Sequence, residues 1–556
     1  MPTADRTLLL FNYDWDAVAH ERLARTQGHR FDEDGFDLFT FPSNARLAWF
    51  DIGRFVDGLA LRAPARGWSA VVSCHEQFGA LAAALLAERM GWPGTPVAAI
   101  LACQHKFYAR QVLQRVAPEA NVPFQLLDAE YGAPIPEGLP YPLFVKPVKA
   151  AFSVLARRVD NHAELHRHTR FGAWELWVIR RLVEPFERLA RERLGPDVPS
   201  AHRMLLEAPV TADQFNLDGV VFNGAVRAIG VVDAIMFPGT QSFMRHQIPS
   251  ALPPAVQARA LDVARRFLLA VGFTHGLFNM EFFYDAASDR LTVIEFNPRM
   301  ASQYSDLYQR VLGVDLHAIE IALAHGLDPD SVPRSAPTAG AAASFVYRAF
   351  DPADRVNLPD AAQRQAFASA FPDGLLFRYP KSRGSIQRDF KWLGSYRYGI
   401  THLGGRDADD LRQRCEAASA LLGWPAPYAE VSVPPAAHAP ALPAADDPVP
   451  LAAGAEGADL GFHPVGRADP HRLGLGLHGI AHCCKIDNRG NAREILQQNS
   501  GRSETDFLRR NALRVPIGQC LYISLGNTQT IFGSQKIFQK NLKRKRKLGY
   551  LGQLLL

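Results

Sequence analysis

The chain has 556 residues, of which 47% are hydrophobic and 21% are charged, a composition typical of a globular protein with several domains. This composition excludes disorder of the whole chain. The sequence has neither a run of about 18 apolar residues nor a secretory signal, so we expect no membrane span. The six cysteines are scattered without a CxxC motif or a zinc-type spacing, which predicts a reduced, cytoplasmic protein.

The net charge of +5 is concentrated at one end of the chain. Residues 471–556 contain fifteen Lys and Arg against four acids, whereas residues 1–470 contain 46 basic and 52 acidic residues. The basic run at 543–547 is typical of a solvated end, and a nucleic-acid-binding arm is the alternative. We therefore expect no nucleic-acid partner for the body of the protein.

The first hundred residues alternate between strand and helix patterns. Residues 8–11 and 70–73 are short buried-strand candidates, and residues 15–28 and 76–90 carry apolar side chains at helical spacing before a glycine. This alternation predicts a small α/β domain with a parallel sheet. The dinucleotide fingerprint GxGxxG is absent.

Two of the five lysines in residues 1–430 stand out by their positions. Residues 104–116 have helical spacing, and Lys106 lies in the opening turn, where a lysine can reach a phosphate or simply face solvent. Lys146 ends an apolar strand whose return strand runs to about residue 159. The loop between these two strands consists of small residues and one further lysine, Lys149.

An antiparallel sheet is predicted beyond residue 203. Residues 204–210 form a strand that ends in a turn containing proline, and residues 214–233 form a hairpin that turns at Asn223-Gly224. Residues 255–271 then form an amphipathic helix.

The segment 277–299 carries the most informative pattern. Two strands joined by a short polar turn form a hairpin, and strand alternation places Glu281 on one face of the first strand and Glu295 with Asn297 on one face of the second. Two carboxylates among Phe, Met, Val and Ile are costly to bury unless a cation lies between them. Such oxygen ligands suit Mg²⁺ shared with nucleotide phosphates, whereas a half-exposed hairpin with glutamates in water is the alternative.

Together with both lysines and the Leu-Leu-Glu207 strand, the string Glu295-Phe-Asn297-Pro-Arg299 resembles the ATP-grasp superfamily, over roughly residues 1–430. The resemblance implies a mixed α/β and α+β ATP-grasp fold. Its expected parts are an N-terminal parallel-sheet α/β domain at 1–103, an ATP-grasp domain at 104–330 with a small lid subdomain at about 141–207 and the acidic antiparallel hairpin, a closing domain at 331–430, a Pro/Ala-rich linker at 431–470 and a poorly ordered basic tail at 471–556.

The resemblance also implies a role for individual residues. The expected nucleotide-binding residues are Lys106, Lys146, Ser153, Glu207, Ala208 and Val210, the metal ligands are Glu281, Glu295 and Asn297, and the catalytic residues are Arg299 and Lys146. The Ala208 carbonyl and the Val210 N–H would hold adenine, and Arg245 with His246 would lie in a substrate loop. Two features depart from the family: residues 148–153 contain no glycine where a glycine-rich flap is usual, and Gln214 replaces a glutamate.

The resemblance implies an ATP-dependent ligase that uses Mg²⁺ or Mn²⁺. Such an enzyme activates a small-molecule carboxylate as an acylphosphate, couples it to an amine and releases ADP and phosphate. One alternative is bicarbonate activation as in biotin carboxylase, which the missing glycine-rich flap and the missing Met-Lys-Met biotin site disfavour. The other is a nucleotide-binding regulatory protein without turnover.

Overall fold

A computed structural model describes residues 6–36, 50–76, 78–150, 155–351, 356–428, 521–525 and 528–532. The chain divides into two compact units, residues 1–434 and 435–556, which are described separately. None of the helices within these described ranges has the length and apolar character needed to cross a membrane. The predicted linker at 431–470 and most of the predicted tail lie outside the described residues.

The chain begins with the predicted parallel sheet, which is confirmed. Its order is β2-β1-β3, and both pairings are parallel. The strands are β1 (Arg6–Leu10), β2 (Arg30–Asp34) and β3 (Trp68–Val72), and the helices are α1 (Asp14–Gln27), α2 (Ile52–Arg66) and α3 (Gly79–Met90). Helix α1 ends at Gly28, whose φ of 74° lies in the left-handed region that glycine adopts without strain.

Two helices lead from this sheet to the rest of the unit. They are α4 (Val97–Gln104) and α5 (Lys106–Val116), and His105 separates them. The His105 side chain accepts a hydrogen bond from the Tyr108 N–H, so it caps α5. Lys106 is consequently the first residue of its helix.

A four-stranded antiparallel sheet follows, in the order β4-β7-β5-β6. Its strands are β4 (Phe124–Glu130), β5 (Leu143–Pro147), β6 (Arg157–Val159) and β7 (Arg203–Glu207), and its helices are α6 (His162–Thr169) and α7 (Ala173–Leu194). The predicted hairpin around Lys146 is confirmed by the pairing of β5 with β6. Pairing of β5 with β7 sets Lys146 opposite Leu205 and brings it close to Glu207.

The largest sheet has eight strands in the order β12-β11-β8-β9-β10-β13-β15-β14, and all its pairings are antiparallel. Its strands are β8 (Asp213–Phe222), β9 (Ala225–Met236), β10 (Phe243–Ile248), β11 (Gly276–Asp285), β12 (Arg290–Asn297), β13 (Ala341–Ala349), β14 (Leu375–Arg378) and β15 (Tyr396–Gly405). The associated helices are α8 (Pro254–Ala270), α9 (Ser305–Leu312), α10 (Leu316–Ala324), α11 (Ala361–Ala370), α12 (Arg383–Leu393) and α13 (Ala408–Leu422). The strands of residues 341–405 thus extend this sheet.

One predicted loop is wrong. Arg245 and His246 lie on strand β10, between β9 and β13, and not in a loop. The expectation of a loop came from the family resemblance and not from the sequence pattern of this segment. In the second unit, the described residues form a hairpin of β16 (Leu521–Leu525) and β17 (Thr528–Phe532).

Candidate active site

The acidic hairpin brings the two glutamates face to face. In the register of β11 with β12, Glu281 lies opposite Glu295, and Asn279 lies opposite Asn297. Cross-strand neighbours of this kind have their side chains within contact distance on one face of the sheet. The pattern read from the sequence therefore corresponds to an actual cluster of oxygen atoms.

The charges around Glu281 and Glu295 favour a bound cation between the two carboxylates. Burial, together with the charge of Glu295, raises the pKa of Glu281 above its usual range. Burial acts on Glu295 in the same direction, but the charges of Lys106 and Lys146 outweigh it and lower the pKa of Glu295. One carboxylate is thus held ionised by lysine, and its neighbour resists ionisation until further positive charge arrives.

Hydrogen bonds orient these oxygens. The Asn297 side-chain amide donates to Asn279 Oδ1 and to Glu281 Oε1, both at 3.0 Å. Gln214 Nε2 donates to Glu281 Oε2 at 3.0 Å. Because both N–H groups of Asn297 are engaged, its Oδ1 remains as the atom for a metal. The donor set of two carboxylates and one amide oxygen fits Mg²⁺ or Mn²⁺.

A buried network of hydrogen bonds connects Asn297 through Asn279 to Asp218 and Tyr308. Asp218, which is 2% exposed, accepts from Tyr308 Oη at 2.9 Å and from Asn279 Nδ2 at 3.0 Å. Burial raises the pKa of Asp218 to about 7 even though both hydrogen bonds act against that rise. Each member of the network therefore has its orientation fixed by the next one.

Lys106 forms a direct ion pair with Glu295. Burial favours its neutral form, but Glu295 outweighs that effect and raises the pKa of Lys106. The lysine therefore stays charged at the start of α5, beside the acidic pair. Lys106 is thus paired with Glu295, a carboxylate that is expected to bind the metal.

Lys146 is held by a second ion pair. Its Nζ lies 3.0 Å from Glu207 Oε2 and donates to the Ile294 carbonyl at 3.3 Å. Burial lowers its pKa to about 8, although Glu207 works against this shift. Arg110 Nε donates to the other oxygen of Glu207 at 2.6 Å, so one carboxylate neutralises two buried cations.

The predicted hinge begins at Glu207, the last residue of β7, and continues into the segment that follows this strand. The Ala208 N–H donates to the Pro123 carbonyl at 3.0 Å, which anchors the turn. Within the described residues, neither the Ala208 carbonyl nor the Val210 N–H has a partner in the protein. The Glu207 side chain faces its two cations, so only its backbone is left for a nucleotide.

Arg299 lies at the junction with the parallel sheet. Its Nε donates to Glu76 Oε2 at 2.8 Å. Burial opposes its charge, but the Glu76 carboxylate and the Tyr13 hydroxyl first, then Glu281 and Glu295, outweigh burial and raise its pKa. Arg299 is therefore a permanent cation a short distance from the acidic pair.

Carnosine synthases are among the curated proteins that resemble this chain in sequence. Carnosine synthase 1 from Gallus gallus is 32% identical over 267 residues, which cover 46% of this chain and 27% of that protein. Carnosine synthase 1 from Homo sapiens is 29% identical over 266 residues, which cover 44% of this chain and 29% of that protein. This chain thus spans less than a third of the length of the curated relatives it matches. No family model matches it.

A solved structure identifies the fold. An L-amino acid ligase from Bacillus licheniformis superposes with a TM-score of 0.55 at 16% identity, over 75% of this chain and 96% of that chain. At this identity the likeness establishes the fold alone, and the fold is ATP-grasp. This chain therefore has the ATP-grasp fold.

In this ATP-grasp chain, most of the predicted site residues lie together. Lys106 forms an ion pair with Glu295, and Asn297 forms a hydrogen bond with Glu281. The charges of Lys146 and Arg299 act on Glu295 as well. The hinge residues border these groups through Glu207. Ser153 lies outside the described residues. Its assignment, like those of the other residues, stays a prediction.

Sequence reasoning missed three residues of this ATP-grasp site. Arg110 follows Lys106 by four residues on α5, so helical spacing placed both on one face and was the available signal. Glu76 and Tyr13 follow the strands of the parallel sheet at their carboxyl ends, the edge at which open α/β sheets bind ligands. Arg110 could therefore have been found from the sequence, whereas finding Glu76 and Tyr13 required knowledge of the strand order in the sheet.

Proposed function

We propose that this protein is an ATP-dependent ligase that joins a carboxylate to an amine and releases ADP and phosphate. The observation that supports this best is the acidic pair with a lysine on Glu295 and an arginine beside it. Such a site is arranged to neutralise phosphoryl charge and offers little for covalent catalysis. The curated relatives, of which this chain spans only part, are named carnosine synthase.

In this proposal Lys106 and Lys146 bind the ATP phosphates, and the backbone of Ala208 and Val210 holds adenine. Glu281, Glu295 and Asn297 hold one or two Mg²⁺ or Mn²⁺ ions, which neutralise phosphate charge when bound. A metal on Glu295 would compete with Lys106 for the same carboxylate. Lys106 released from Glu295 would then be available to bind a phosphate.

The reaction has two steps. A substrate carboxylate oxygen attacks the terminal phosphorus of ATP, the bond to ADP breaks, and an acylphosphate forms. The amine nitrogen then attacks the acyl carbon, the bond to phosphate oxygen breaks, and the nitrogen loses a proton. Arg299 stabilises the phosphoryl oxygens in both steps, and Lys146 neutralises the charge that develops on the transferred group.

Amino acids are the proposed substrate class, since the relatives are named carnosine synthase and L-amino acid ligase. A cytoplasmic location is part of the proposal. It is supported by Cys74, Cys103 and Cys415, which are buried, unbridged thiols. No observation favours bicarbonate activation over this reaction.

The test is ADP release by the full chain with Mg²⁺, ATP and pooled L-amino acids, beside matched pools of carboxylates and amines. We expect release only when both a carboxylate and an amine are present, and loss of release in Glu281→Gln. The matched control is Asp285→Asn, which removes a charge at the exposed turn of the same hairpin and should retain activity. ATP binding without release in every pool would instead support a regulatory protein.

A further inference from the structure

Lys149 is a buried lysine that lacks the counter-ion its neighbours have. It is 4% exposed and lies two residues beyond the end of β5. Lys106 and Lys146 each form an ion pair with a glutamate, but no carboxylate oxygen of the described residues lies within 4.0 Å of Lys149 Nζ. A buried ammonium group without a counter-ion costs folding free energy, so its retention requires an explanation.

Neutral groups hold Lys149 in place. Its Nζ donates to Gln104 Oε1 at 2.8 Å, and Gln104 Nε2 in turn donates to the Glu76 carbonyl at 2.8 Å. The Phe186 ring centroid lies 4.9 Å from Nζ, a cation–π contact. These contacts fix the position of the charge without neutralising it.

The backbone around Lys149 ties it to the rest of the site. The preceding residue, Val148, accepts a hydrogen bond from the Lys106 N–H at 3.1 Å, and its own N–H donates to the Arg203 carbonyl at 3.0 Å. The segment after β5 is thereby fastened to the start of α5. Two lysines of the site are positioned by one short stretch of chain.

The charges that act on Lys149 are those of the candidate active site. They belong to Glu76, Lys106, Glu295 and Arg299, and burial together with the two cations lowers the pKa of Lys149 to about 8. A bound anion would supply the missing negative charge and remove the cost of burial. Two of the groups that act on Lys149, Lys106 and Arg299, are cations that the proposed function assigns to phosphate.

We propose that Lys149 is a third phosphate-binding residue, which contacts the terminal phosphoryl group of bound ATP. This inference rests on the proposed function. It also gives a role to a lysine in a segment, residues 148–153, that contains no glycine. A fixed ammonium group replaces backbone N–H donors.

The experiment measures the binding of Mg²⁺-ATP and of AMP to the full chain by calorimetry, in wild type, Lys149→Met and Lys149→Arg. We expect Lys149→Met to weaken ATP binding about 10- to 100-fold, the typical effect of losing a charge-assisted phosphate contact, with AMP binding unchanged. Lys149→Arg should retain most of the ATP affinity. Arg259→Met, which removes a charge paired with Asp289 at the exposed hairpin turn, is the control for net charge.

A melting temperature separates function from structure. The Lys149→Met protein without nucleotide should melt at or above the wild-type temperature, because a buried charge without a counter-ion has been removed. Equal ATP affinity in Lys149→Met and wild type would overturn the inference. So would parallel loss of ATP and AMP binding with a lower melting temperature. Wild type that binds no ATP would instead refute the proposed function itself.

Discussion

Replacing Tyr308 with phenylalanine removes one hydroxyl group that a chain of three hydrogen bonds connects to the expected metal ligand Asn297. The hydroxyl donates to Asp218 at 2.9 Å, Asp218 accepts from Asn279, and Asn279 accepts from Asn297. A hydrogen bond to a buried charged group contributes about 1.5–3 kcal/mol, so we expect Tyr308→Phe to lose about that much stability. Partners that orient metal ligands typically affect metal affinity by about 10- to 100-fold.

The affinity loss should depend on pH. The pKa of Asp218 is already raised to about 7 by burial, and loss of the Tyr308 hydroxyl, which lowers it, raises it further. The variant therefore keeps Asp218 protonated at neutral pH, and Asn279 loses a charged acceptor. We expect weaker Mn²⁺ binding, measured by electron paramagnetic resonance of the free ion in the presence of ATP. The deficit should be largest just above pH 7, where Asp218 is ionised in wild type and protonated in the variant, and smaller below pH 7, where Asp218 is protonated in both.

A matched variant separates stability from metal binding. Tyr347 on β13 is also buried, and its hydroxyl contacts Ser419 Oγ of α13 at 2.9 Å. Tyr347→Phe should lose about 1 kcal/mol of stability, as for a neutral hydrogen bond, with Mn²⁺ affinity unchanged. Equal Mn²⁺ affinity in Tyr308→Phe and wild type would refute the reasoning, whatever the stability.

Three further predictions concern charge and packing. Since the pKa of Lys146 is about 8 without ligand, ATP affinity measured by calorimetry should fall as pH rises above 8, and an affinity independent of pH up to 10 would contradict this assignment. Glu207→Gln leaves Lys146 and Arg110 buried without their carboxylate and should cost about 3–5 kcal/mol in urea denaturation, whereas a loss below about 1 kcal/mol would argue against the shared ion pair. Gly219→Ala places a Cβ against the Phe278 ring and should cost about 1–3 kcal/mol, so a melting temperature equal to wild type would disprove the predicted overlap.

The acidic hairpin was predictable because its information is local. Alternation with a period of two indicates which residues of one strand share a face. Glu281 lies opposite Glu295 because the register shifts between Glu281 and Phe282, and the sequence pattern does not indicate that shift. Lys106 was placed in the first turn of a helix for the same reason, since the apolar spacing over 104–116 identifies the helix. Such features need only a few neighbouring residues.

Contacts between distant segments were not predictable. The pairing of Arg299 with Glu76 joins residues 223 positions apart, and no pattern in the chain encodes that approach. The ion pair of Arg110 with Glu207 depends likewise on how the lid sheet meets α5. Strand β10 was missed because Arg245, His246 and Gln247 in sequence give it little of the apolar alternation typical of a strand.

The central claim, activation of a carboxylate by phosphoryl transfer, is tested most directly by following oxygen. The full chain would be given Mg²⁺-ATP, an amine and an amino acid labelled with ¹⁸O in its carboxylate, and the released phosphate would be analysed by mass spectrometry. We predict one ¹⁸O atom in each phosphate formed, because the carboxylate oxygen that attacks the phosphorus leaves with it. Phosphate without label, released in step with product, would contradict the account.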